Sequence, residues 1–177
     1  MLGVRSQEKS VAKKMLGDSN HTIHITSRVK MSVLGGANLA CPFFVPLEIR
    51  NDGSWPHPSR LPLGAGWSGN CGASGQELPA SDDHIREFCN LGYATACPHL
   101  PQNRDWDAVR FSVARVSPEQ VTISFVCEFA HAPIEHGKLT FDTVGEAWLN
   151  AHTDPRIVRL AASYLQTYRA RQGAALI

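Results

Sequence analysis

The sequence predicts an α+β domain, in which a small antiparallel β-meander and two C-terminal helices accompany an irregular lobe rich in cysteine, glycine and proline. Three observations support this fold class. Residues 108–141 alternate apolar and polar side chains, residues 155–172 carry an apolar stripe at helical spacing, and residues 38–101 follow neither period. Separate runs of strands and helices are typical of α+β proteins.

Two regions are predicted along the chain. Residues 1–30 contain six basic and two acidic residues with little apolar surface, so we expect a loosely ordered basic extension. Residues 31–177 are expected to form a single α+β domain, because a chain of 177 residues suffices for one ordinary core but not for two.

Residues 38–101, called the cysteine lobe below, contain eight prolines and several glycines. These residues disfavour regular structure over most of the lobe. Residues 81–91 are the exception: Ser81 suits the N-cap of a helix, Cys89 would face inward from its last turn, and Gly92 would end it.

The meander is predicted from alternation. Val109, Phe111 and Val113 alternate with more polar residues, residues 121–129 repeat the pattern, and a third strand is expected over residues 138–141. Residues 117–120 are expected to form the turn between the first two strands.

Two helices are predicted to close the chain. Thr143 with Glu146 three residues later has the pattern of a capping box, which predicts a short helix through Leu149. Asp154 followed by Pro155 predicts the start of a longer helix over residues 155–172.

Composition bounds the location and the partners. No apolar run is long enough to span a membrane, and the start of the chain lacks a secretory signal, so a soluble, cytoplasmic protein is expected. An alternative start at Met31 ahead of a lipoprotein-like Cys41 stays open, although glycines interrupt its apolar run. Residues 31–153 hold seven basic and thirteen acidic residues, which argues against a nucleic-acid groove and leaves a redox or protein partner. Nothing indicates the oligomeric state.

Four of the five cysteines lie within a 57-residue stretch, at Cys41, Cys71, Cys89 and Cys97. A segment with so little periodicity needs a cross-link or a shared metal to become ordered, and four thiolates suffice for a zinc ion or a four-iron cluster. Successive cysteines have 29, 17 and 7 residues between them and form no Cys-x-x-Cys pair, which counts against ordinary structural zinc. The sequence therefore predicts that these four cysteines bind an iron–sulfur cluster of the 4Fe–4S type.

Other interpretations of the cysteines remain open. They could be zinc ligands of a protein- or nucleic-acid-binding module, with His57, His84 or His99 replacing one of them, or ligands of a metalloenzyme with substrate beside the metal. Free buried thiols and disulfides are further alternatives, the latter requiring an oxidising compartment. The fifth cysteine, Cys127, alternates with phenylalanines in a strand and is expected to be a core thiol.

Residues 128–136 contain four further side chains of the metal-ligating type, Glu128, His131, Glu135 and His136. They match no ligand motif, so a hydrated hairpin loop is predicted. Signatures of nucleotide hydrolysis, hydride transfer and zinc proteolysis are missing from the sequence. Whether the protein is an enzyme is not indicated.

Overall fold

The computed structural model describes residues 39–174, which contain two antiparallel sheets and a long C-terminal helix. The strands are β1 (Leu39–Ala40), β2 (Phe44–Arg50), β3 (Gly66–Cys71), β4 (Leu78–Pro79), β5 (Ala108–Val116), β6 (Gln120–Phe129), β7 (Ala132–Asp142) and β8 (Ala147–Asn150). The helices are a short α1 (Asp82–His84), continued by a π turn over Ile85–Cys89, and α2 (Pro155–Ala174); Pro58–Arg60 form a single 3₁₀ turn.

The larger sheet has the strand order β1-β5-β6-β7-β8 and contains the predicted meander. In β6, Val121, Ile123, Phe125 and Cys127 are buried, and the residues between them are less so. The alternation of apolar and polar residues in the sequence therefore predicted the buried face of β6 correctly. The turn at residues 117–120 is also confirmed, since the Ser117 N–H donates to the Gln120 carbonyl at 2.8 Å.

The smaller sheet, of order β2-β3-β4, lies within the cysteine lobe and was not predicted. Phe44 of β2 pairs with Cys71 of β3, and the register between these strands shifts at Pro46. A proline is tolerated at such an irregularity because the ladder there needs no N–H donor. The burial pattern of β2 lacks alternation, so this strand left no period-two signal in the sequence.

Helix α2 follows the prediction closely. The Asp154 carboxylate accepts from the Arg156 N–H at 2.8 Å at the helix start, and Ile157, Leu160 and Leu165 are buried. Tyr164 stacks on Phe111 of β5, which attaches the helix to the larger sheet. Side chains from both sheets and from α2 belong to one hydrophobic cluster. None of the described helices is both long and apolar enough to cross a membrane.

The predicted short helix through Leu149 is wrong. The chain instead turns at residues 143–146 and forms β8, where Trp148 packs edge-on against Phe141 of β7. The Thr143 hydroxyl does not cap a helix; it donates to the Pro118 carbonyl at 2.8 Å in the neighbouring turn. Cross-strand pairing of large aromatic side chains has overridden the local capping pattern.

Two further boundaries differ from the sequence predictions. Strand β7 begins at Ala132 and not at residue 138, because the tight turn at Ala130 and His131 replaces the longer loop that was expected. The predicted extension over residues 1–30 and the start at Met31 lie outside the described residues. The α+β class and the antiparallel arrangement of its strands are confirmed.

Candidate metal centre

The four cysteines of the lobe line one narrow pocket of about 10 Å³, the room of a single water molecule. Cys41 follows β1, Cys71 is the last residue of β3, Cys89 ends the π turn, and Cys97 lies in the loop before β5. Cys41 and Cys89 are buried, whereas Cys71 and Cys97 are partly exposed, and all four are free thiols. Four separate segments of the lobe are therefore brought to the same place.

The backbone around Cys41 connects two of these segments. The chain turns at Pro42, whose side chain is fully buried, and the Phe44 N–H donates to the Cys41 carbonyl at 3.2 Å. The Gly72 N–H donates to the Phe43 carbonyl at 2.8 Å, beside the pairing of β2 with the end of β3. The Gly72 amide thus already has a backbone partner.

The position of Cys89 depends on both ends of its helical segment. The Ser81 hydroxyl accepts from the His84 N–H at 3.3 Å, which confirms the predicted N-cap. Next to Cys89, the buried Asn90 side chain donates to the Trp67 carbonyl at 2.9 Å and accepts from the Trp67 N–H at 3.1 Å. This amide bridge attaches the π turn to β3, and no sequence pattern had indicated it.

Gly92 closes this segment with a φ of +100°, in the region that favours glycine. A Cβ atom at Gly92 would lie only 2.5 Å from the Leu39 carbonyl oxygen. The glycine therefore lets β1 pass directly over the end of the turn that carries Cys89.

Two histidines, His84 and His99, lie on the side of the pocket where Cys97 is found. The Sγ atom of Cys97 lies 3.3 Å from Nε2 of His84, and the His84 ring stacks on His99 with centroids 4.5 Å apart. Burial and the neighbouring His99 lower the pKa of His84. Both imidazoles line the cysteine pocket, whereas the exposed His57 does not.

Burial holds the inner thiols in their neutral form in the absence of a cation. It raises the pKa of Cys41 to about 12, against the opposing effect of hydrogen bonds from the backbone of Phe43 and Phe44. Burial also raises the pKa of Cys89, with smaller contributions from the charges of Cys41, Cys71 and Cys97. The charges of neighbouring cysteines thus contribute to the raised pKa of both thiols. A cation bound among the four sulfurs would instead favour the charged thiolates.

The thiols surround the pocket without closing on a single point. Within residues 39–174, no group of three or more His, Cys, Asp or Glu side chains is gathered tightly enough to hold one metal ion. The pocket wall also includes Phe43, Phe44 and Phe88. Two aromatic residues of the lobe have other partners: Tyr93 bonds to Glu128, and the Trp55 ring covers Gly66.

Cys127 and the other candidate cluster have separate environments. Cys127 is fully buried in β6, and burial raises its pKa to about 12, as suits a core thiol. Residues 128–136 are mostly strand: Glu135 contacts Nε2 of His152 at 2.7 Å, and the His131 ring contacts Tyr93.

A polar network joins the cysteine lobe to the larger sheet and was also missed from the sequence. The Tyr93 hydroxyl donates to the buried Glu128 carboxylate at 3.2 Å and accepts from the His131 N–H at 2.9 Å. Glu128 also pairs with Arg110, and Asp107 accepts from the Ala130 N–H at 2.8 Å. The tight turn at Ala130 and His131 is thus held from two sides, by Tyr93 and by Asp107.

Comparison with models of known protein families, with curated proteins and with solved structures gives no match to this chain.

Proposed function

We propose that this chain is a metal-binding protein that holds an iron–sulfur cluster of the 4Fe–4S type through Cys41, Cys71, Cys89 and Cys97. The observation that carries the proposal is that four thiols, spread over 57 residues of the chain, line one pocket. Cysteine thiolates are the usual ligands of such clusters, and no other described pocket combines as many sulfur donors.

The surroundings of Cys41 support a ligand role. Hydrogen bonds from the backbone of Phe43 and Phe44 favour its charged form and so lower its pKa, although burial outweighs them. N–H donors to sulfur are the groups that stabilise thiolates and tune metal centres. A bound cation would add the missing favourable interaction, and its binding would release the thiol protons.

The distribution of the thiols favours a cluster over one zinc ion. A tetrahedral zinc ion draws its sulfurs to about 2.3 Å from a single point, usually with two ligands close in sequence. A four-iron cluster binds each thiolate at a different iron atom, which suits four thiols that line one pocket without gathering at a single point.

Bound there, the cluster would supply one-electron chemistry or hold the lobe rigid for a partner. Phe43, Phe44 and Phe88 would limit the access of water to it, and exclusion of water affects the potential of such a centre. Cys71 and Cys97 are partly exposed, so they would form its outer edge, where a redox partner approaches.

Two alternatives are kept. A zinc-stabilised module would use the same cysteines, and His84 favours this alternative because its ring nitrogen lies 3.3 Å from Cys97 Sγ. A metalloenzyme with substrate beside the metal would need one ligand that exchanges. The partly exposed Cys71 is then the natural candidate.

Serine substitution at each of the four positions tests the proposal. Loss of metal and a lower unfolding temperature are expected together in all four variants, because serine is a poor ligand and the lobe depends on the centre. The matched control is Cys127→Ala, which removes a buried thiol outside the pocket and should keep the metal. Retention of metal in two or more of the four serine variants would contradict the ligand set.

A further inference from the structure

A second, larger pocket of about 320 Å³ opens beside the cysteine pocket. The two share Cys71, Ala73 and His99, so the second pocket reaches the edge of the first at a partly exposed sulfur. Its volume lies within the range of roughly 300–1,000 Å³ that is typical of small-molecule sites.

The lining of this pocket defines the chemistry of what it can hold. Leu78, Pro79 and Pro101 contribute apolar walls, and no charged side chain lines it. Apart from the Cys71 thiol, its polar side chains are the His99 imidazole and the Ser74 hydroxyl, which already bonds to the Gln76 carbonyl at 3.3 Å. An ionic ligand would lose its hydration without gaining a charged partner.

Two other described pockets, both beside Phe43, are lined by charged side chains. Each contains Arg156, which lies over the rings of Phe43 and Trp106 and is paired with Asp154. A neutral, apolar ligand would lie against charged groups in these two pockets, whereas the pocket beside Cys71 has no charged side chain.

We propose that the pocket between Pro79 and Pro101 binds a small, uncharged, mainly apolar molecule with one polar atom, held between apolar walls and hydrogen-bonded to His99. The molecule lies against Cys71, which gives it direct access to the proposed metal centre. The binding stands on this pocket alone, whereas the access to a metal rests on the proposed function.

The test uses the full chain as isolated, with 2-naphthol as a neutral aromatic probe and naphthalene-2-sulfonate as its charged counterpart. Binding is followed by chemical shift changes in ¹H–¹⁵N spectra. Ala80→Phe and Ser74→Phe each place a ring in the pocket, and the exposed Ser74 should tolerate the change without loss of folding. The matched control is Ala162→Phe, on the exposed side of α2 at another pocket.

We expect 2-naphthol to shift the amide signals of Ala80 and His99, and the sulfonate to bind at least about tenfold more weakly. Either pocket-filling variant should weaken 2-naphthol binding by about tenfold or more, and Ala162→Phe should leave it unchanged. Equal binding of both probes, or binding unaffected by both filling variants, would overturn the inference.

Metal analysis of the same sample separates the two proposals. A protein that contains iron but fails to bind 2-naphthol would overturn the pocket inference and leave the cluster proposal standing. A metal-free protein that binds 2-naphthol as expected would support the pocket and contradict the metal centre.

Discussion

Alkaline pH should destabilise the metal-free protein because of its buried thiols. The pKa of Cys41 is raised from 9.0 to about 12 in the folded state, and that of Cys89 is raised as well. A raised folded-state pKa gives stability that is fully present below the unfolded value of 9.0 and is lost as the pH rises toward the folded value. The window of loss therefore begins near pH 9.

The magnitude follows from proton linkage. Between pH 8 and pH 10 an unfolded thiol with a pKa of 9.0 ionises almost completely, whereas Cys41 stays protonated in the folded protein. This difference costs about 1 kcal/mol of unfolding free energy for each such thiol. Cys41 and Cys89 together should cost about 2 to 3 kcal/mol, and Cys127, whose pKa is also raised to about 12, should add a similar single contribution.

Chemical denaturation at pH 8, 9 and 10 measures this loss in metal-free and metal-loaded protein. A bound cation keeps Cys41 and Cys89 deprotonated at all three values, whereas the same thiols are mostly protonated in the unfolded chain at pH 8. Their contribution therefore changes sign in the loaded form and raises its stability from pH 8 to pH 10, while Cys127 still lowers it. The variant Cys127→Ala isolates the two pocket thiols. An unfolding free energy of the metal-free Cys127→Ala protein that stays constant from pH 8 to pH 10 would refute the reasoning.

Three substitutions test the supports of the site by denaturant unfolding. Asn90→Leu leaves the buried Trp67 N–H and carbonyl without partners and should lower the free energy of unfolding by about 3 kcal/mol. The control Asn103→Leu, at an exposed position, should change it by less than about 0.5 kcal/mol. Equal effects of the two substitutions would contradict the bridge between Asn90 and Trp67. Ala130→Gly should stabilise by about 1 kcal/mol because Ala130 has a φ of +48°, and a destabilised variant would show that the turn is unstrained. Tyr93→Phe removes two hydrogen bonds between the lobe and the larger sheet and should cost about 2 kcal/mol; an unchanged midpoint would count against that connection.

The larger sheet and the last helix could be predicted because their signals are local and periodic. The buried apolar residues from Val121 to Cys127 of β6 stand two positions apart, and Asp154 with Pro155 marks the start of α2 in the sequence itself. The helix expected through Leu149 failed because Trp148 gains more from packing on Phe141 than a capping pattern provides.

The structure of the cysteine lobe could be predicted from the sequence only in part. Its smaller sheet includes Pro46 at a shift in register, so neither propensity nor alternation indicates a strand there. That the four cysteines share a pocket was expected from their number and surroundings, but their supports were not. Asn90 and Tyr93 act on partners more than 20 residues away, and such pairs leave no mark in a single sequence.

Analysis of iron, acid-labile sulfide and zinc in anaerobically prepared protein, with a visible spectrum before and after dithionite, decides whether the four cysteines share a metal centre. We expect brown protein with about four iron and four sulfide per chain, and a broad absorption band that dithionite bleaches. Colourless protein with one zinc ion per chain would favour the zinc alternative. Colourless protein without any metal would contradict the shared metal centre at Cys41, Cys71, Cys89 and Cys97.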